Sequence, residues 1–311
     1  MATAPLRVCD NGGWTDTWFA GSGAVCNLGV EPGVTVRVDV RPGSGRVDVP
    51  DGDELLLATV AEGGPGGGWA AMDVRVDVES PVPAGASTGT SASVAVALLG
   101  ALDVLAGRRR SPVEVAAAAH RVEVERLGLQ SGVQDQLCAA VGGLCFIEIA
   151  SYPSATVVRV PAPPGFLAQL GERLLLVYLG RPHRSSAVHD LVIERLGADV
   201  APLAPLRALA VRARDAAVAG DLLGYGRALS DNTAAQADLH PGLVGDAARA
   251  VIDVARAHGA LGWKVNGAGG EGGSVSLLCG DDRRLASAVS ALDPAFRVIP
   301  VRPSTRGLVV R

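Results

Sequence analysis

The chain has 311 residues, enough for two domains, and its 48% hydrophobic and 19% charged residues have the balance of a globular protein. A net charge of −4, with no Lys/Arg-dense stripe beyond Arg108-Arg109-Arg110, argues against a nucleic-acid polymer as partner. Five scattered cysteines without a CxxC argue against a disulfide framework or zinc site, and no run of about 18 apolar residues or signal-peptide pattern occurs, so a soluble cytoplasmic protein is expected.

In chain order, "PLRV" reads as extended, and "VTVRVDV" (34–40) and "MDVRVDVE" (72–79) alternate apolar and polar residues as half-exposed strands do. Between those two strands lies a loop-rich excursion with room for a short helix. Residues 93–106 and 112–127 carry helical periodicity, the second opening on "SPVE", a Ser N-cap followed by Pro at the first helical position. Strands are expected at 144–149, 156–160 and 173–179. The proline cluster "PAPPG" (161–165) is the best internal boundary, giving units 1–165 and 166–311. Helices follow at about 185–196, 203–219, 221–238 and 242–258. "SVSLLC", "RLASAVSAL", "FRVIPV" and "RGLVVR" then suggest strand, helix, strand, strand. The mixture implies an α+β protein with two layers in each half.

Three Gly-rich stretches stand out. "PAGASTGTSAS" (83–93) leads into an apolar helix, a way to hold phosphate with backbone N–H groups and a helix N-terminus. The same stretch also reads as a plain Gly/Ser turn whose helix is capped by Thr90 or Ser91. "CDNGGWTD" (9–16) follows the extended start, and "KVNGAGGEGG" (264–273) contains Lys264, the chain's one lysine beside 27 arginines. Neither a Walker motif nor GxGxxG is present.

These loops resemble the phosphate-binding motifs of the small-molecule kinases typified by galactokinase, homoserine kinase, mevalonate kinase and phosphomevalonate kinase, the GHMP kinases. The family pattern is roughly P-x-G-x-G-L-G-S-S-A. Pro83, Gly85, Gly89, Thr90, Ser91 and Ala92 stand in register with it, with Ser87 in place of Gly and Thr88 in place of Leu. Arg7 and Asp16 have the spacing of the first motif, and "GAGGEGG" matches the third, with Glu271 for Gly. "EVERLGLQSGVQDQ" resembles the segment containing G-x-x-D-Q, with Glu123 twelve residues before Asp135.

The resemblance implies a two-domain fold: an N-terminal α/β domain of ribosomal-protein-S5-like type and a C-terminal ferredoxin-like α+β domain, with the site between them. It implies ATP and Mg²⁺ as cofactors. The nucleotide would lie on Pro83, Gly85, Ala86, Ser87, Thr88, Gly89, Thr90, Ser91, Gly267, Gly269 and Gly270. Ser91 and Glu123 would hold the metal, with Glu125 as the competitor for the second position. Asp135 would take the acceptor's proton, with Arg7 beside it. Asp16, Thr15, Gly13, Gly132 and Arg184 would meet the substrate. Glu271 is expected to point away from the phosphates.

"GGWTDT", "GSGAVCNLGV", "SGVQDQ" and "RPHRSSAV" look closest to the sugar-1-kinases, the heptose 7-phosphate kinase and fucokinase group, which implies phosphorylation of a sugar at its anomeric hydroxyl. Trp14 and Trp18 fit a sugar-stacking surface or the core equally well, and Trp69 is a candidate adenine contact. Two other readings are open: a nucleotide- or sugar-binding sensor on the same fold, motivated by Ser87, Thr88 and Glu271, and a kinase for a non-sugar alcohol such as mevalonate or homoserine, which the QDQ segment disfavours. The expected partners are a small-molecule sugar and ATP, not a membrane; a homodimer is left open.

Overall fold

A computed structural model describes residues 1–64, 69–182 and 185–311, the side chains of 185–187 excepted. The first half is built on β1 (Ala2–Asn11), β2 (Gly23–Pro42), β3 (Val47–Asp48), α1 (Glu54–Gly63), β4 (Met72–Glu79), α2 (Thr90–Leu105), α3 (Pro112–Arg121), α4 (Gln134–Val141), β5 (Leu144–Ser151) and β6 (Ser154–Arg159). The second half comprises α5 (Pro164–Arg173), β7 (Leu174–Tyr178), α6 (Ser185–Leu196), α7 (Ala204–Ala219), α8 (Leu222–Leu239), α9 (Asp246–Ala257), β8 (Gly262–Val265), β9 (Ser274–Leu278), α10 (Leu285–Ser290), β10 (Arg297–Ile299), β11 (Arg302–Pro303) and β12 (Val309–Val310). The α+β mixture and the elements expected from the sequence are present.

The spine of the larger sheet is β2, twenty residues long. It pairs antiparallel with β1 along most of its length, with β5 through its first half and with β4 through its second. The last residues of the chain return to this sheet: β11 pairs with Glu31 and Val30, and β12 with Ala2 and Thr3. A domain division at residue 165 is thus our proposal for an arrangement in which 302–310 cross back. The smaller sheet is antiparallel in the order β10-β7-β9-β8.

α2 is buried from Ala92 to Asp103 on nearly every face, as "SASVAVALLGALD" requires of a helix apolar all round. Its Leu98, Leu99 and Leu102 are fully buried, each worth about 1.5–3 kcal/mol of transfer free energy. The expected side-chain cap by Thr90 or Ser91 is absent among the described residues. Gly89 occupies the N-cap at φ 65° with no capping side chain, so the first-turn N–H groups of α2 are left for something else.

The expected helix over 112–127 starts as read, with Ser111 and Glu114 forming a reciprocal capping box. It then changes to a π-helical turn over Val122–Arg126, which turns Glu123 inward and leaves Glu125 exposed. α5 begins within the proline cluster, at Pro164, where a proline lacking its N–H is tolerated. Strand β8 went unread because "GWKV" is short and adjoins glycines.

Candidate active site

One cavity of about 340 Å3 gathers most of the expected residues. It is lined by Gly85–Ala92 on one side, by Arg7, Asp16 and Trp14 from the end of β1 and the following loop, and by Glu123, Gly132, Gln134 and Asp135. Gly267 of the third loop and His189 of α6 complete the wall. Pro83, Gly269 and Gly270 lie outside that lining, and Gly270 N–H donates to the Leu243 carbonyl at 2.8 Å. Gly13 and Thr15 sit behind it: the Thr15 hydroxyl donates to the carbonyls of Gly12 and Ala24, tying the loop to β2. Arg184 lies outside the described residues.

Arg7 and Asp135 form a two-pronged pair. Nε donates to Oδ1 at 2.7 Å and Nη2 to Oδ2 at 3.1 Å, a fork geometry that fixes both planes. Arg7 is 4% exposed and Asp135 28%, so the cation is buried and the carboxylate opens on the cavity. Burial pulls the Arg7 guanidinium down, but Asp135 and Asp10 together outweigh it and hold the group charged. Arg7 also binds the first Gly-rich loop, its backbone N–H donating to Thr88 O at 2.9 Å and its Nη1 to Ser87 O at 3.1 Å. Gly89 is required where it stands: besides its positive φ, a Cβ there would lie 3.0 Å from the Asp135 carboxyl carbon.

Asp16 is fully buried and accepts from the Gln134 backbone N–H at 3.1 Å and its Nε2 at 3.3 Å. Burial pushes its carboxyl up to about 6, against the pull of the Gln134 bond, with Asp135 adding repulsion. Glu123 accepts from Ser131 Oγ at 2.6 Å and Gln136 Nε2 at 2.8 Å, both at Oε2. Burial raises it to about 7, opposed by the Ser131 bond and assisted by Asp135. A carboxylate with one oxygen already bonded, lining the same cavity as the exposed Ser91 hydroxyl, supplies hard oxygen donors. It fits Mg²⁺, which takes one or two carboxylates and shares the rest of its shell with phosphates and water.

Trp14 is core and cavity wall at once: it packs tilted on Phe19 and edge-on to His189, while Trp18 is half-buried and lies outside the lining. Trp69, expected near adenine, is buried elsewhere, its indole N–H donating to Val60 O. Glu271 points away, accepting from the Asp246 N–H at the start of α9.

Sequence reasoning missed Asp10. It is fully buried, lies 3.3 Å from Arg7 and 3.5 Å from Lys264, and takes the Gly267 N–H on its carboxyl. Lys264, the chain's one lysine, is 1% exposed. An acidic residue directly after "LRVC", in the same strand, is the available signal.

The Arg7–Asp135 fork thus shares one cavity with the start of α2, the Ser91 hydroxyl and the Glu123 carboxylate. The chain belongs to the GHMP kinase family: the GHMP kinases N terminal domain matches residues 56–143. The mevalonate kinase of Methanothermobacter thermautotrophicus is 30% identical over 250 residues, which are 76% of this chain and 74% of that one. That of Thermococcus sibiricus is 29% identical over 233 residues, 70% of this chain; the chain covers 63% of that relative's length. The fold is shared with the D-glycero-D-manno-heptose 1-phosphate kinase structure from Bacteroides thetaiotaomicron, at TM-score 0.71 and 19% identity, covering 99% of this chain and 97% of that one. No helix among the described residues is long and apolar enough to cross a membrane.

Proposed function

We propose that this chain transfers the γ-phosphoryl group of ATP to a sugar hydroxyl, the anomeric one. The observation that carries the reading is the Arg7–Asp135 fork facing both the uncapped start of α2 and the buried Asp16 within one cavity. The α2 N-terminus and the loop 85–91 would receive the triphosphate, through N–H groups that no side chain occupies. Ser91 and Glu123 would hold Mg²⁺, which neutralises phosphate charge when bound. Asp135, oriented by Arg7, would accept the proton of the attacking hydroxyl as its oxygen bonds to the γ-phosphorus and the bond to the β-phosphate oxygen breaks. Arg7 would stabilise charge on the transferred group.

The acceptor's chemistry follows from charge. Asp16 accepts hydrogen bonds, which sugar hydroxyls donate. Arg7, already shared between two carboxylates, is a poor partner for a carboxylate on the substrate. A neutral polyol therefore suits this cavity better than a carboxylate-bearing alcohol such as mevalonate. The second reading, a non-sugar alcohol kinase, draws on the mevalonate kinases among the relatives. The sensor reading is opposed by the intact fork, which binding alone does not need.

ADP release from Mg·ATP is measured against hexoses, pentoses, deoxysugars, heptose 7-phosphate, mevalonate and homoserine. Turnover confined to sugars supports the proposal. Turnover confined to mevalonate or homoserine moves the assignment to the second reading, and ATP binding with no turnover moves it to the sensor.

A further inference from the structure

Asp10 and Lys264 have no part in the transfer as described, yet they complete a chain of alternating charge: Asp135, Arg7, Asp10, Lys264. The links are 2.7 Å from Asp135 to Arg7, 3.3 Å from Arg7 to Asp10 and 3.5 Å from Asp10 to Lys264. Asp10 is wholly buried and Lys264 is 1% exposed. The Lys264 ammonium is further held by Gln236 Oε1 at 2.9 Å and by the Val265 carbonyl. Burying one unpaired charge is expensive, and a pair is retained at such a cost where it fixes a geometry. Burial pulls the Lys264 ammonium down and Asp10 pulls it back up.

Two geometries depend on Asp10. Its carboxylate holds the Nη1 side of Arg7, leaving Nε and Nη2 for Asp135, so the guanidinium cannot swing. The same carboxylate accepts the Gly267 N–H with both oxygens, at 3.2 and 3.1 Å, and so ties the third Gly-rich loop to the strand that carries Arg7. Arg7 in turn holds the first loop through Ser87 O and Thr88 O.

We propose that Asp10 is a positioning residue for phosphoryl transfer, fixing Arg7 against Asp135 and latching the third loop beside the first, with Lys264 as the buried partner that holds the Asp10 carboxylate in place. The inference rests on the transfer reaction proposed above. Neither residue lines the cavity: Asp10 acts through Arg7 and Gly267, and Lys264 through Asp10.

The test is a cycle of Asp10→Leu, Lys264→Met and the double variant, reading kcat, ATP affinity by calorimetry and Tm. Each single variant strands a buried charge and is expected to lower Tm by about 5–10 °C. The double variant removes both charges and regains Tm. With Arg7 and the third loop released, its kcat is expected to stay about 100-fold down, the scale of an ångström's misplacement of reacting groups, and its ATP affinity to stay several-fold weaker. Recovery of kcat and affinity together with Tm would make the pair purely structural and overturn the proposal. Wild-type protein inert toward every acceptor would sink the kinase reading and the transfer role together. In that case ATP affinity still decides the latch: equal affinity in wild type and double variant removes it.

Discussion

The Arg7 guanidinium lies flat against the Asp135 carboxylate, Nε to Oδ1 at 2.7 Å and Nη2 to Oδ2 at 3.1 Å, across 128 residues of chain. β1 supplies one partner and the first turn of α4 the other, and Gly89 of the first Gly-rich loop closes on the same carboxyl group. Carboxylate, cation and loop are therefore one mechanical unit, and disturbing any one of them reaches the others.

Replacing Asp135 by Asn keeps the shape and removes the acceptor. Turnover should fall by about 100- to 10,000-fold, the usual range for a lost general base, with ATP affinity within threefold of wild type. Stopped assays of ADP release alongside calorimetry separate the two quantities. A variant with wild-type turnover would move the proton acceptor elsewhere.

Gly132 closes on Asp16 so tightly that a Cβ there would sit 2.1 Å from Oδ2. Gly132→Ala should displace Asp16 and raise KM for the acceptor by about 10-fold or more, as one misplaced hydrogen-bond partner does, leaving KM for ATP unchanged. Asp16→Asn should do the same without the steric change. Kinetics with each substrate varied in turn provide the check.

Ser87 stands at φ 57° where the family pattern has Gly, and its hydroxyl has no partner among the described residues. Ser87→Gly should stabilise the ligand-free protein by about 1 kcal/mol through relief of the left-handed backbone. Denaturant unfolding measures it. A loss of stability would mean that the hydroxyl has a role that its surroundings do not reveal.

Glu123 and Asp16 are both raised, to about 7 and about 6, chiefly by burial. A carboxyl whose folded pKa exceeds its unfolded value binds its proton more tightly in the native state. Its contribution is therefore full below the unfolded value, near 4.5 for Glu123, and is lost as pH rises toward 7. Tm of the ligand-free protein should drop over that window more steeply in wild type than in Glu123→Gln. Activity should run the other way, rising through pH 7 as Glu123 ionises and becomes able to hold Mg²⁺. A pH–rate profile with the same limb in Glu123→Gln would remove Glu123 from the metal site.

Much of this arrangement was legible in the chain because local chemistry and spacing carry it. "SPVE" announces its capping box, the alternation in 72–79 announces β4, and the apolar run after "STGTS" announces a buried helix. Arg7, Asp16, Glu123 and Asp135 were found through motif spacing, and one cavity holds all four. Contacts between distant segments left weaker traces. Asp10 meets Lys264 across 254 positions, and nothing near either residue reveals the other. The choice of Gly89 over Thr90 as N-cap depends on the closeness of Asp135, again a tertiary fact. The inward turn of Glu123 rather than Glu125 is set by a π-helical turn that periodicity at 3.6 residues cannot show.

Phosphorus NMR of the reaction mixture is the most direct measure of phosphate transfer to a sugar through the Arg7–Asp135 unit. Wild-type protein with Mg·ATP and its best sugar acceptor should produce a phosphomonoester resonance coupled to the anomeric proton, missing when Asp135→Asn replaces wild type. A phosphomonoester formed only on mevalonate or homoserine, or one formed equally well by Asp135→Asn, would contradict the account.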